Sequence, residues 1–189
     1  NVRSYKVSLT ISESFFDSVV VLSPKTYPDN RGSFFESWNK KTFNKLLDVN
    51  FDFVQDNHSI SVEGTLRGLH YQFPNPQGKL VRVIYGEIFD VIVDIRRSSS
   101  TFGQWRGIYL SSANMKQIWI PPGFAHGFLT LSLKAEVLYK TTEHRHEESE
   151  RTIIWNDKDI LIEWPLAKDV IISNKDKNGT VFKKAQYFE

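Results

Sequence analysis

The feature that most constrains the fold is a nearly continuous series of short, strand-like segments from the middle of the chain onward. Each is rich in β-branched or aromatic residues and is bounded by turn-forming residues, which is typical of an all-β sandwich or barrel. Strands are predicted at residues 19–22, 34–38, 51–54, 67–72, 79–85, 87–95, 105–110, 117–120, 123–131, 137–141 and 151–155. The fold class predicted from this pattern is all-β.

Outside the strands, one helix is predicted in the first half of the chain. Phe43, Leu46 and Leu47 follow helical spacing within residues 39–47, so this helix should pack on the outside of a sheet. Residues 1–18 show no clear strand pattern and are expected to be a weakly structured N-terminal segment, and residues 177–189 are expected to be a surface tail. Because the chain has 189 residues and no internal repeat or linker, residues 1–189 are predicted to form one domain.

Composition excludes several classes of function. The 24 basic and 22 acidic residues are balanced and scattered, which disfavours nucleic acid or an anionic membrane as a partner. There is no cysteine, so disulfide and thiolate chemistry are excluded and a reducing compartment is favoured. No run of 18 apolar residues occurs. We therefore expect a soluble, cytoplasmic protein.

Polar side chains are concentrated between Gln55 and Lys79, inside a pattern that predicts strands. An Arg, a His and a Lys at residues 67, 70 and 79 would each lose several kcal/mol of hydration if buried without partners. A second polar pattern lies in residues 87–95, where alternation places Ile88, Asp90, Ile92 and Asp94 on one face. Both patterns favour a cavity that binds a charged ligand.

Metal and nucleophile chemistry have little support in the sequence. Of the five histidines, only His144 and His146 have ligand-like spacing, and they lie in a charge-rich stretch typical of a solvated loop. No metal site is predicted. The chain also has no nucleophile elbow and no glycine-rich phosphate loop, which leaves acid–base chemistry by groups such as His70, Lys79 and Tyr139.

Several motifs together resemble one known family. They are QDNHS at 55–59, LRGLHYQ at 66–72, QGKLVR at 77–82, FDV at 89–91, TFGQW at 101–105, WIPPGFAHGF at 119–128 and LYK at 138–140. In this order they closely resemble the dTDP-4-dehydrorhamnose 3,5-epimerases of deoxysugar biosynthesis, from about residue 19 to residue 176. The resemblance implies a cupin-type jelly roll with a few short peripheral helices, no cofactor, no metal, and a homodimer whose N-terminal strands cross to the partner. It also implies a nucleoside-diphosphate 4-keto-6-deoxyhexose as substrate.

The same resemblance assigns catalytic roles. His70 matches the base that removes a proton beside the ketone, and Asp176 matches the carboxylate behind it. Lys79 matches the cation that stabilises the enolate oxygen, and Tyr139 matches the acid that returns a proton from the opposite face. This chemistry is consistent with the residue types, because inversion beside a ketone needs a base, an oxyanion stabiliser and an acid on the far side.

Further positions match substrate contacts of the family. Gln55, Asn57, Arg67 and His126 match contacts to the sugar and diphosphate, Arg31 and Glu36 match contacts made across the dimer, and Glu150 and Lys175 match contacts near the nucleotide. Arg67 is the residue we expect on the diphosphate, because a planar guanidinium suits paired phosphate oxygens.

One position departs from the family pattern. Six residues after the acid tyrosine, where the family has a tyrosine that stacks on thymine, this chain has Arg145. A guanidinium can also stack on a base, so nucleotide binding is retained while the base is open. The alternatives are a C3-only or C5-only epimerase, including one acting on a CDP-linked sugar, a ketoisomerase on the same scaffold, and a non-catalytic sugar-binding jelly roll.

The spacing of Arg67 and His70 also makes a structural prediction. Residues three apart in a regular strand point to opposite faces. If both side chains reach the cavity, the strand must contain a bulge near Gly68.

Overall fold

The computed structural model describes residues 8–167 and 169–189 and consists of two packed antiparallel sheets. The six-stranded sheet has the order β1 (Leu9–Phe15), β2 (Val19–Pro24), β10 (Gln117–Ile120), β7 (Lys79–Tyr85), β12 (Lys134–Thr141), β5 (Gln55–Val62). The five-stranded sheet has the order β13 (Glu150–Thr152), β6 (Leu66–Gln72), β11 (Phe124–Thr130), β8 (Glu87–Asp94), β9 (Trp105–Ser111). From β5 to β12 the chain passes repeatedly between the sheets, and the predicted cupin-type jelly roll is confirmed.

A separate hairpin and a few short helices complete the described structure. The hairpin joins β3 (Thr26–Asp29) to β4 (Gly32–Phe35). The helices are α1 (Lys40–Leu47) and α2 (Asn174–Lys177), with 3-10 turns at Glu147–Ser149 and Phe182–Lys184. No helix within residues 8–167 and 169–189 is both long enough and apolar enough to cross a membrane.

The core between the sheets confirms the predicted alternation in β8. Ile88 and Ile92 are fully buried there, against residues such as Val81 from the opposite sheet. The other face of β8, with Val91 and Val93, packs beneath the C-terminal part of the chain. Both faces of this strand are therefore buried, and its inward-facing carboxylates lie inside the protein.

Helix α1 forms at the predicted place for local reasons. The Asn39 side chain accepts a hydrogen bond from the Thr42 backbone N–H at 3.1 Å, which caps the first turn. Fully buried Phe43 packs edge-on against Trp119, on the outer face of the six-stranded sheet. The strand predicted at residues 51–54 is wrong. This segment is irregular, and its aromatic residues Phe51 and Phe53 pack on Trp119 instead.

Residues 8–18 are more ordered than expected. Residues 1–7 lie outside the described residues, but β1 corrects the expectation of weak structure through residue 18. Its side chains are mostly exposed, so the strand forms by pairing with β2 rather than by burial. Residues 177–189 are mostly exposed, but Phe182 is buried and Phe188 packs against Tyr71 and Phe73, so this tail is anchored to the sheets.

Candidate active site

The predicted bulge is present in β6. Residues His70 and Arg67 pair with His126 and Phe128 of β11, so three steps along β6 match two along β11. Gly68 sits at the irregularity with φ of +123°, and a Cβ there would lie 2.5 Å from the Cα of Gly127. Only glycine fits this close approach, and the bulge bends the strand at this residue.

His70 forms a close pair with Asp176. His70 Nε2 lies 2.6 Å from Asp176 Oδ1, and Asp176 Oδ2 accepts a hydrogen bond from the Gly68 N–H at 3.1 Å. Ser173 caps α2 by accepting from the Asp176 N–H, which fixes the carboxylate's position. Because a carboxylate only accepts, Nε2 carries the proton and Nδ1 is left as the basic nitrogen.

The protonation states suit this pair to act as a base. His70 is partly open to the cleft, with 38% of its side chain exposed, but burial by the surrounding protein lowers its pKa despite the nearby carboxylate. For Asp176 burial acts to raise the pKa, and the hydrogen bond from His70 together with the Gly68 N–H leaves it below its usual value. At neutral pH the pair is a neutral imidazole backed by a carboxylate.

The facing sheet contributes a cation and a phenol. Lys79 on β7 is buried, and desolvation lowers its pKa to about 8, although the charges of Asp90 and Glu150 oppose the change. Tyr139 on the adjacent strand β12 has its pKa raised by burial. At neutral pH the ammonium is still charged and the phenol still holds its proton. The two groups can therefore stabilise an oxyanion and donate a proton, respectively.

These groups meet in one cleft between the edges of the two sheets. The predicted site residues that line it are Gln55, Asn57, His70, Lys79, Tyr139, Arg145, Glu150 and Lys175. Asp176 lies behind His70. Gln55 and Asn57 project from β5, and the Gln55 Nε2 donates to the Asn57 Oδ1 at 2.9 Å.

Two predicted contacts lie close to the cleft but do not line it. Arg67 is exposed and donates to the Ser61 hydroxyl at 3.0 Å and the Ile60 carbonyl at 3.3 Å. His126 is opposite His70 in the sheet, buried, with Nε2 2.7 Å from Asp90 Oδ2. The bulge therefore brings His70 into the cleft without bringing Arg67 with it.

Two other predicted contacts lie elsewhere. Arg31, in the turn of the β3–β4 hairpin, is 85% exposed and pairs with Asp29 at 2.6 Å. Glu36 follows the hairpin and accepts hydrogen bonds from Ser8 and Asn39. Neither lines the cleft within this chain, so their contribution to a partner's site stays a prediction.

A group of charges lies at the mouth of the cleft. Arg145 Nε is 2.5 Å from Glu150 Oε1, and Lys175 Nζ pairs with Glu150 Oε2. These two cations lower the pKa of Glu150 to about 2. The Arg145 backbone N–H also donates to the Gln55 side-chain oxygen at 3.0 Å, which ties the loop after β12 to β5.

Five residues at or below the cleft were not among the predicted site residues. Tyr71, Gln72, Gln77 and Arg151 line it, and Asp90 lies beneath it with no exposed surface. Tyr71, Gln72 and Gln77 stand inside the quoted motifs, and the alternation in β8 pointed to Asp90, so these four had a usable signal. Tyr71 is an unsuitable acid, because its hydroxyl donates to the Gln186 carbonyl at 2.8 Å and burial raises its pKa to about 12.

The arrangement defines a class of chemistry. A neutral imidazole on one wall can remove a proton next to a carbonyl, and an ammonium on the other wall can stabilise the resulting enolate. A protonated phenol on that second wall can supply a proton to the opposite side. Fold and site together define a jelly-roll protein built for acid–base chemistry on a charged ligand.

Comparison with known proteins identifies the family. The family model described as dTDP-4-dehydrorhamnose 3,5-epimerase matches residues 13–184. The chain is 52% identical over 170 residues to the dTDP-4-dehydrorhamnose 3,5-epimerase of Pseudomonas aeruginosa, covering 90% of this chain and 94% of that protein. It is 50% identical over 181 residues to the Shigella flexneri enzyme of the same name, covering 95% and 99%.

A solved structure agrees with these matches. The Legionella pneumophila epimerase, crystallised with dTDP-4-keto-L-rhamnose, superposes with a TM-score of 0.92 at 47% identity, covering 94% of this chain and 95% of that one. The chain belongs to the dTDP-4-dehydrorhamnose 3,5-epimerase family.

Proposed function

We propose that this protein is a nucleotide-sugar epimerase that inverts C3 and C5 of a dTDP-linked 4-keto-6-deoxyhexose. The observation that carries the proposal is the placement of the His70–Asp176 pair on one wall of the cleft, with Lys79 and Tyr139 on the other. Family membership and the substrate names of similar proteins support the same reaction.

The proposed reaction needs only proton transfers. The C4 ketone acidifies the hydrogens on C3 and C5, and His70 Nδ1 removes one of them while the electron pair moves to the C4 oxygen. Lys79 stabilises that enolate oxygen, and Asp176 favours the imidazolium that forms. The phenol of Tyr139 then protonates the carbon from the opposite side, and solvent exchange restores both groups.

The sugar would be oriented by the amides of Gln55 and Asn57, which lie beside Tyr139 on the same wall. Arg67 and His126 would also contact the sugar or the diphosphate. Arg67 would have to turn away from Ser61 to reach the cleft, and His126 would have to act from beneath it. Variants of Arg67 and His126 would test whether residues outside the cleft lining contact the substrate.

We also propose that the protein works as a homodimer in the cytoplasm, with residues 1–189 forming a single domain. The β3–β4 hairpin supports the dimer, because Phe34 is 70% exposed and Tyr27 is 40% exposed on a two-stranded unit that is separate from both sheets. Such apolar exposure is typical of a protein interface. Light scattering should give twice the chain mass, and Phe34→Ser should weaken the dimer.

The function is tested by proton NMR in deuterium oxide. With dTDP-4-keto-6-deoxyglucose, the signals of both the C3 and C5 hydrogens should disappear and the inverted product should appear. A parallel sample with the CDP-linked sugar tests the alternative raised by Arg145. Exchange at C3 alone, or only with the CDP sugar, would replace the double epimerase by a mono-epimerase. No exchange with either sugar would favour a ketoisomerase or a binding module.

A further inference from the structure

The segment between β12 and β13, residues 142–149, is held in place by glutamine side chains that lie outside it. Gln55 on β5 accepts a hydrogen bond at its Oε1 from the Arg145 backbone N–H at 3.0 Å. Gln77, which precedes β7, donates from its Nε2 to the Glu143 carbonyl at 2.8 Å. Both glutamines line the cleft, so part of the cleft wall also fixes the backbone of this segment.

Gln72 on β6 makes the most extensive of these contacts. Its side chain is buried, and its Oε1 accepts a hydrogen bond from the His146 N–H at 2.8 Å. Its Nε2 donates to the His144 carbonyl at 3.1 Å and to the Asn75 carbonyl at 2.8 Å. An amide is the side chain of this length that supplies two donors and an acceptor together. Its two bonds to the segment fall on the residues immediately before and after Arg145.

The backbone at Arg145 is therefore fixed while its side chain is accessible. The Arg145 N–H, the carbonyl before it and the N–H after it are all bonded to glutamine side chains. The Arg145 side chain itself is 58% exposed and lines the cleft. Where a long, exposed side chain can reach is decided by the position of its backbone, and a contact held in place in advance binds a ligand at a lower entropic cost.

We propose that Gln72 is a positioning residue for nucleotide recognition, because it holds the backbone on both sides of Arg145 and so sets where that side chain meets the base. The inference rests on the proposed function for the identity of the ligand. Within the described residues Gln72 makes no hydrogen bond to His70, Lys79 or Tyr139. Binding of the nucleotide, and not proton transfer, should depend on Gln72.

The test titrates the full chain with dTDP and with CDP by calorimetry. Gln72→Met keeps the length of the side chain but supplies no strong donor or acceptor, so the backbone at Arg145 is released. Affinity for dTDP should fall about tenfold, the fold-change typical of losing one contact to a base. In the enzyme assay KM should rise by a similar factor, while kcat should stay within about twofold, as expected when only ground-state binding is lost.

A double-mutant cycle separates positioning from general damage. Arg145→Ala alone should also weaken dTDP binding about tenfold. In the Arg145→Ala background, Gln72→Met should add little further loss, because a side chain that is absent cannot be misplaced. Additive losses would show that Gln72 affects the ligand by another route and would overturn the inference.

Gln117→Met is the matched control. Gln117 is also buried and donates to a backbone carbonyl, that of Ser37, at 2.9 Å, but it does not line the cleft. Its loss should lower stability towards urea and change dTDP affinity by less than about twofold. Equal loss of affinity in Gln117→Met and Gln72→Met would mean general loosening and would overturn the proposal.

A second variant covers the case in which Gln72→Met does not fold. Gln72→Glu keeps the shape and the acceptor for the His146 N–H, but it sets an oxygen against the His144 carbonyl. The same tenfold loss of dTDP affinity is expected, and wild-type affinity would contradict the inference.

Hydrogen exchange at the sugar in deuterium oxide, recorded on the same samples, distinguishes this inference from the proposed reaction. Exchange by the wild type together with unchanged dTDP affinity in Gln72→Met refutes only the role of Gln72. Binding of dTDP that depends on Gln72, without exchange by the wild type, refutes only the proposed reaction. A wild-type protein that binds neither dTDP nor CDP refutes both.

Discussion

Replacing Lys79 by methionine should stabilise the protein while destroying its activity. Lys79 is buried and has no carboxylate within ion-pair distance among the described residues. Desolvation lowers its pKa from 10.5 to about 8. At about 1.4 kcal/mol for each pH unit, holding the ammonium in the folded state at pH 7 costs about 3 kcal/mol. Methionine keeps the apolar stem and removes the charge.

The sign of the pH dependence makes this prediction specific. Between pH 8 and 10.5 the folded state binds fewer protons at Lys79 than the unfolded state, so this residue's destabilising effect fades as the pH rises. Urea unfolding at fixed protein concentration should show Lys79→Met more stable by up to about 3 kcal/mol at pH 7. Most of that difference should disappear by pH 10.5.

Activity should move in the opposite direction. Loss of the cation facing the enolate oxygen should lower kcat by about 10² to 10³, as for other oxyanion stabilisers. A Lys79→Met protein that is less stable than wild type at pH 7, or a stability difference that does not change with pH, would refute the reasoning from desolvation.

Three further predictions follow from the site and its scaffold. The pH profile of kcat/KM should be bell-shaped. Activity should fall on the acid side, below the usual imidazole pKa of 6.5, as His70 becomes protonated, and on the basic side near pH 8 as Lys79 loses its proton. Activity that rises steadily through pH 9 would exclude Lys79 as the cation that stabilises the enolate. Asp90→Asn should move the basic limb to lower pH, because the Asp90 charge raises the pKa of Lys79, and an unmoved limb would show that this charge does not reach Lys79. Gly68→Ala should lower the free energy of unfolding, measured with urea, by more than about 2 kcal/mol, because the strained φ and the overlap with Gly127 add together. The control Gly32→Ala has φ of +134° and nothing within 4 Å of the added Cβ, so it should cost only about 1 kcal/mol. Equal losses in the two variants would show that the close approach to Gly127 adds nothing.

Much of the fold was predictable because the hydrophobic pattern is local. The alternation in β8 separates its two buried faces, and the spacing of Phe43, Leu46 and Leu47 defines α1. The errors occurred where structure depends on distant partners. β1 has a mostly polar, exposed sequence and exists because β2 offers it a pairing edge, whereas Phe51 and Phe53 pack as aromatic side chains without strand pairing.

The site was predictable to the extent that its residues lie in strands with fixed facing. Lys79 and Tyr139 project inward from adjacent strands. The bulge predicted near Gly68 is present, but the premise that it brings both Arg67 and His70 to the cavity is wrong for Arg67. The direction taken by a long side chain cannot be predicted in this way, because it depends on nearby acceptors. Arg67 turns to Ser61 and Ile60 for this reason.

The most direct test of the central claim is deuterium incorporation by the His70→Asn and Tyr139→Phe variants with the dTDP-linked 4-keto-6-deoxy sugar. If the two residues work from opposite walls, His70→Asn should neither exchange nor invert the sugar. Tyr139→Phe should still exchange hydrogen for deuterium, because the base can return a deuteron to the same face, but it should fail to invert C5. Inversion of C5 at the wild-type rate by Tyr139→Phe, or exchange by His70→Asn, would contradict the account.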